Sequence, residues 1–107
     1  MSLETRRKQI LKEMARIDCM EKGTLTAEYR DSVKDGKKVR LGPYYKHQIW
    51  KDGRNASRRI RATDADHMGE AVDGYHEFKR LADEYAEVTV EMTRNAKTNK
   101  SKKKHRP

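Results

Sequence analysis

A chain of 107 residues has room for one domain with a modest core. Apolar residues make up 34% and charged residues 40%, which disfavours a large enclosed active site. The formal net charge of +9, from 26 Lys and Arg against 17 Asp and Glu, suits a polyanionic partner: DNA, RNA, an anionic membrane surface or an acidic protein.

Six basic residues, Lys97, Lys100, Lys102, Lys103, Lys104 and Arg106, fall between Asn95 and Pro107, where there is no acid. That tail supplies most of the net charge, and its composition predicts a disordered electrostatic arm over 95–107. The single cysteine, Cys19, excludes an internal disulfide and a Cys-based metal site. No apolar run approaches the ~18 residues of a membrane span, and the N-terminus lacks the apolar core of a signal peptide. The expectation is a soluble, cytoplasmic, non-enzymatic protein with no cofactor and no membrane partner.

Ser2 caps a first helix over 3–21, with Leu3, Ile10, Leu11, Met14 and Ile17 as its apolar stripe and Gly23 as its stop. Residues 24–62 then alternate Thr, Tyr, Val, Ile and Trp with polar residues. The pairs Asp35-Gly36 and Asp52-Gly53 are strong type I′ hairpin signals, so three strands are expected near 24–33, 38–50 and 54–62. Thr63 is the expected N-cap of a long helix over 64–93, whose heptad seam runs Met68, Ala71, Tyr75, Phe78, Ala82, Tyr85, Thr89 and Met92, flanked by Val72, Leu81 and Val88.

The fold class is therefore α+β: a three-stranded antiparallel sheet inserted between an N-terminal helix and a long C-terminal one. The two helices are expected to pack as an antiparallel, coiled-coil-like stalk within a single domain over 1–94. The long helix exceeds the short one by about ten residues, and the leftover seam suits a homodimer or a partner helix.

If Asp52-Gly53 is the loop, Lys51 opposes Arg54, and stepping back pairs Trp50 with Asn55, Gln48 with Ser57, Lys46 with Arg59, Tyr45 with Ile60 and Tyr44 with Arg61. One face then carries Tyr45, Ile49, Ala56 and Ile60, with His47 and Arg58 among them. The other carries Tyr44, Lys46, Gln48, Trp50, Asn55, Ser57, Arg59 and Arg61. The second face is too charged to bury, and its cations suit phosphates while Arg, Asn and Gln suit base edges. Tyr44 and Trp50 suit stacking on unpaired bases. With Lys51 and Arg54 at the turn and Lys102, Lys103 and Lys104 in the tail, this is the expected nucleic-acid contact set, DNA being favoured over RNA.

Three other readings stay open: a solvated face without a ligand, an adaptor or inhibitor docking on an acidic or nucleic-acid-binding partner, and an RNA-binding module. His67, Glu70, Asp73 and His76 suit a charged helix surface better than a metal site. His47 with Arg58 lacks a nucleophile or acid pair, so a satisfied structural histidine is expected.

Two resemblances attach to these residues. The run from Tyr44-Tyr45-Lys46 through Asp52-Gly53-Arg54 and Arg59-Ile60-Arg61 to Thr63 resembles the arm-type, AP2-like DNA-binding module of phage-type tyrosine recombinases, over about half the chain. That resemblance implies a sheet lying in a major groove. Over nearly the full length, Gly23-Thr24-Leu25, Tyr29-Arg30, Gly42-Pro43-Tyr44-Tyr45, Gly53 and Ser57-Arg58 make the chain similar to an uncharacterised family of small bacterial and archaeal proteins associated with mobile elements. Such a relationship implies a coiled-coil stalk and a β-rich head. Separately, a bacterial or archaeal cytoplasmic protein with DNA as its ligand is expected to associate with the nucleoid. The family's Cys pair after the position of Tyr29 is missing: Asp31 to Lys38 contains no cysteine.

Overall fold

A computed structural model describes the backbone of residues 1–103 and the side chains of residues 1–97. The elements run α1 (Leu3–Ala15), β1 (Thr24–Lys34), β2 (Lys37–Lys51), β3 (Arg54–Ile60) and α2 (Ala62–Lys103). The α+β class and the order of elements are as the sequence predicts. The contacts divide the chain into two compact units, one of Met1–Asp18 with the chain from Glu77 onward, the other of Cys19–His76.

In the helical unit, the Ser2 side chain accepts the Thr5 amide and caps α1, satisfying a donor that the first turn leaves without a partner. Ile10 and Leu81 are fully buried and, with Val88, form the core, against which Leu3, Met14, Ile17, Tyr85 and Met92 pack. Arg6 makes a two-pronged contact with Glu84, at 2.5 Å from Nε and 2.6 Å from Nη2, and its other nitrogen bonds Glu13 at 2.9 Å. Arg80 acts electrostatically on Glu13 as well as on Glu84, so rising numbers in α1 meet falling numbers in α2 and the pair is antiparallel. Arg7 lies 5.6 Å from the centre of the Tyr85 ring.

This ion network makes stability depend on pH. The Arg6 hydrogen bond holds the Glu84 carboxyl below its usual range, and Arg80 does the same to Glu77. Folded-state pKa values below the unfolded ones contribute stability that is complete above the ordinary carboxylate pKa and is lost as pH falls through the lowered values. The urea midpoint is therefore expected to drop between pH 7 and about pH 3, and less so in Glu84→Gln. A variant whose midpoint falls as far as the wild type's would remove Glu84 as a source of the acid sensitivity.

Helix α1 ends earlier than expected. Its cap is Arg16, whose amide reaches both the Glu13 and Met14 carbonyls, and Ile17 bonds back to Met14 at 3.1 Å. Ile17 continues the apolar stripe because it packs in the core, so the stripe outlasts the helix. Gly23 does not stop the helix. It leads into β1 instead, with φ +97°.

In the sheet unit the strands lie in the order β1-β2-β3, antiparallel throughout. Asp35, Gly36, Asp52 and Gly53 have φ of 53°, 75°, 52° and 76°, the paired positive angles of type I′ turns. The β2–β3 register is the one stepped back from Asp52-Gly53, from Lys51↔Arg54 to Tyr45↔Ile60. The expected Tyr44–Arg61 pair is not in the ladder, because β3 stops at Ile60 and Arg61 stands immediately before α2. The β1–β2 register shifts by one between Glu28 and Arg30, where Gly42 and Pro43 together oppose Tyr29. This is a bulge in β2, a place where Pro costs no ladder donor. The Gly42–Pro43 bond is cis.

Ile60, Ala65, Ala71 and Val72 are buried in this unit, together with one polar side chain, His47 at 6% exposure. Two imidazoles fasten the approach to β1: His47 Nε2 donates to the Lys22 carbonyl at 2.7 Å and His76 Nε2 to the Gly23 carbonyl at 3.0 Å. The Glu21 amide donates to the Ala71 carbonyl at 2.8 Å.

Helix α2 departs from expectation at both ends. Thr63 lies inside it, not at its cap, since Ala62 is already helical and the Asp64 amide bonds the Arg61 carbonyl. At the other end, 95–103 continues the helix where a disordered tail was expected; Asn95 to Lys103 contains neither Gly nor Pro. Residues 104–107 of the expected tail lie outside the described residues. Of the expected seam, Ala71 is buried, whereas Met68, Tyr75, Phe78, Ala82, Tyr85, Thr89 and Met92 are half-buried; the line of full burial runs instead through the flanking Val72, Leu81 and Val88.

Candidate nucleic-acid interface

The period of two along each strand places Tyr44, Lys46, Gln48 and Trp50 of β2 on one face with Asn55, Ser57 and Arg59 of β3. Strand β1 adds Thr24, Thr26 and Glu28, which oppose Gln48, Lys46 and Tyr44. Cation and ring are interlocked at its centre: the Tyr44 ring carries the Arg59 guanidinium at 4.7 Å and that of Arg30 at 5.2 Å. Two cations on one phenol ring are held ready while their outward N–H groups stay available to an anion.

Lys46 is committed differently. Its Nζ lies 2.9 Å from Glu28, whose carboxyl is held below its usual range first by the hydrogen bond to Lys46 and then by the charges of Lys46, Arg30 and Arg59. Glu28 thus neutralises one of the expected cations and makes this end of the face less positive than Tyr44, Lys46 and Arg59 alone imply. A shallow depression in the surface is lined by Glu28, Arg30, Tyr44, Lys46, Ser57 and Arg59.

Trp50 is 73% exposed and paired across the ladder with Asn55, near the Asp52-Gly53 end of the sheet. Gln48 is half-buried beside Gly23, while Asn55, Ser57 and Arg59 are exposed. Lys51 and Arg54 are exposed but are not gathered into this face: as the pair next to the turn, they fall on the side of Ile49 and Ala56. Arg61, also exposed, lies beyond the ladder next to α2, beside a depression shared with Pro43, Tyr44 and Arg59. The side chains of Lys102, Lys103 and Lys104 lie outside the described residues.

Sequence reasoning missed Arg30 and Glu28, because it set only the β2–β3 register. The signal for Arg30 was the run Tyr29-Arg30, but no turn count places it correctly. Counting back from Lys34↔Lys37 without the bulge puts Glu28 opposite Pro43, one residue out, and so assigns every residue of β1 before the bulge to the wrong face.

Among the described residues, no three His, Cys, Asp or Glu side chains are grouped as a metal site, and His76 Nε2 is engaged by the Gly23 carbonyl. No helix of the described residues is long and apolar enough to cross a membrane. The chain matches no family model, no curated protein and no solved structure.

Proposed function

We propose that this protein binds nucleic acid, duplex DNA foremost, through the sheet face centred on Tyr44, as an accessory protein of a mobile element. The observation that carries the reading is the Tyr44 ring flanked by the Arg30 and Arg59 guanidiniums on an exposed face that also bears Asn55, Ser57 and Trp50. Such a face offers phosphate contacts from the cations, base-edge contacts from Asn and Gln, and a stacking surface in Trp50. The place in a mobile element follows from the family resemblance of Gly23-Thr24-Leu25, Gly42-Pro43-Tyr44-Tyr45 and Ser57-Arg58.

In a fluorescence-anisotropy titration at physiological salt, Arg59→Ala is expected to weaken duplex binding about tenfold, by a lost charge-assisted contact. Truncation after Thr93 is expected to weaken it less, and chiefly at low salt, because the residues removed supply charge without base contacts. Equal binding by Arg59→Ala and wild type would remove the sheet face from the interface. An exposed Trp is also a favoured anchor for a protein partner, so binding to an acidic protein but to no DNA or RNA at low salt would support an adaptor instead.

A further inference from the structure

Strand β2 has 15 residues but β3 pairs only with Tyr45–Lys51, so beyond the bulge β1 and β2 continue alone as a two-stranded ribbon. Five cross-strand pairs, from Arg30↔Leu41 to Lys34↔Lys37, make it about 15 Å long at about 3.3 Å per residue. It ends in the tight Asp35-Gly36 turn. Five basic residues on it, Arg30, Lys34, Lys37, Lys38 and Arg40, outnumber Asp31 and Asp35.

We propose that this ribbon enters the major groove of B-form duplex DNA. The inference rests on the reading of the protein as a duplex-DNA binder and adds the groove and the element that occupies it. Three observations carry it. First, the shape fits: a major groove about 12 Å wide and about 8.5 Å deep admits a two-stranded ribbon, and one of this length reaches its floor. Second, the tip cations are unneutralised. Lys34 and Lys37 oppose each other, a destabilising like-charge pair, and with Lys38 they enter no ion pair among the described residues, whereas Lys46 on the sheet face is already held by Glu28. A phosphate on either side of the groove relieves that repulsion. Third, the base of the ribbon is ordered in advance on both of its faces: Arg30 lies over Tyr44 on the sheet face, and Arg40 stacks 3.9 Å from the centre of the Tyr29 ring on the opposite one.

A-form RNA, with its deep, narrow major groove, does not admit the ribbon. The preference for B-form duplex therefore separates this proposal from a general polyanion surface.

The test uses the full chain and labelled duplex DNA, duplex RNA and single-stranded DNA at about 0.1 M salt. The variant Lys34→Ala/Lys37→Ala/Lys38→Ala is expected to bind duplex DNA roughly 100-fold more weakly and to reduce its log–log salt slope by nearly three. Its single-strand binding should stay within about threefold, whereas Arg59→Ala should weaken both. A second variant removes Ser32, Val33, Lys38 and Val39, shortening the ribbon by two pairs while keeping the turn and the face parity. It should lose guanine N7 protection from methylation on the duplex. Duplex binding and N7 protection unchanged in both variants would overturn the ribbon assignment and leave the sheet-face reading standing. Failure of the wild type to bind any of the three nucleic acids would overturn both.

Discussion

Leu81→Ala is expected to lower the unfolding free energy by about 3 kcal/mol, a large loss for a single truncation. Leu81 and Ile10 are the two fully buried large side chains, and both belong to the cluster that joins α1 to α2. Removing the isopropyl group leaves a hole lined by Ile10 and its neighbours, and two helices with so narrow a contact have little else to close around it. For a domain of this size the total is about 5–15 kcal/mol, so the variant should melt many degrees lower. Calorimetry on Leu81→Ala beside Leu11→Ala checks the assignment, since Leu11 is half exposed and its truncation should cost under about 1 kcal/mol. Similar losses at both positions would show that the core is elsewhere.

Gly23→Ala is expected to cost about as much, for a different reason. A Cβ at Gly23 would stand 2.1 Å from the Gln48 carbonyl oxygen and 3.1 Å from His47 Nε2, and the φ of +97° is one that L side chains rarely adopt. The nearest obstacle is backbone, so the strand itself has to move, taking with it the Thr24↔Gln48 pair and the His47 and His76 bonds to the Lys22 and Gly23 carbonyls. Gly36→Ala is the control. Its φ is also positive, but nothing lies within 4 Å of the added atom, so it should cost only about 1 kcal/mol. Amide exchange would locate the damage at the paired ends of β1 and β2. Equal costs for the two variants would mean that dihedral strain alone, not the close approach, determines the effect.

These two positions mark how far the sequence could be read. Leu81 was visible only as a flank of the apolar seam: the heptad count placed Ala82 in the seam, whereas the structure buries Leu81 in the cluster with Ile10 and leaves Ala82 half-buried. The requirement for Gly at 23 was not visible, because it arises from a carbonyl 25 residues away that only strand pairing brings near. The helix ends show the same division. Ser2 was legible as a cap, since its partner is three residues on, whereas the end of α1 at Ala15 depended on Ile17 staying in the core after the helix had stopped.

For the candidate interface, the sequence by itself determined the β2–β3 half: Asp52-Gly53 permits one tight turn, and the turn sets every pair from Lys51↔Arg54 to Tyr45↔Ile60. Only the tertiary structure decided the β1 half. The Gly42-Pro43 bulge adds one residue to β2, and because side chains alternate with a period of two, that single residue moves Glu28 onto the face of Lys46 and allows Arg30 to join Arg59 on Tyr44. The same pairing, extended past the end of β3, makes the basic ribbon. Local turn chemistry is written in two adjacent residues, but the consequence of a bulge depends on which strand lies opposite, and that is a property of the folded sheet.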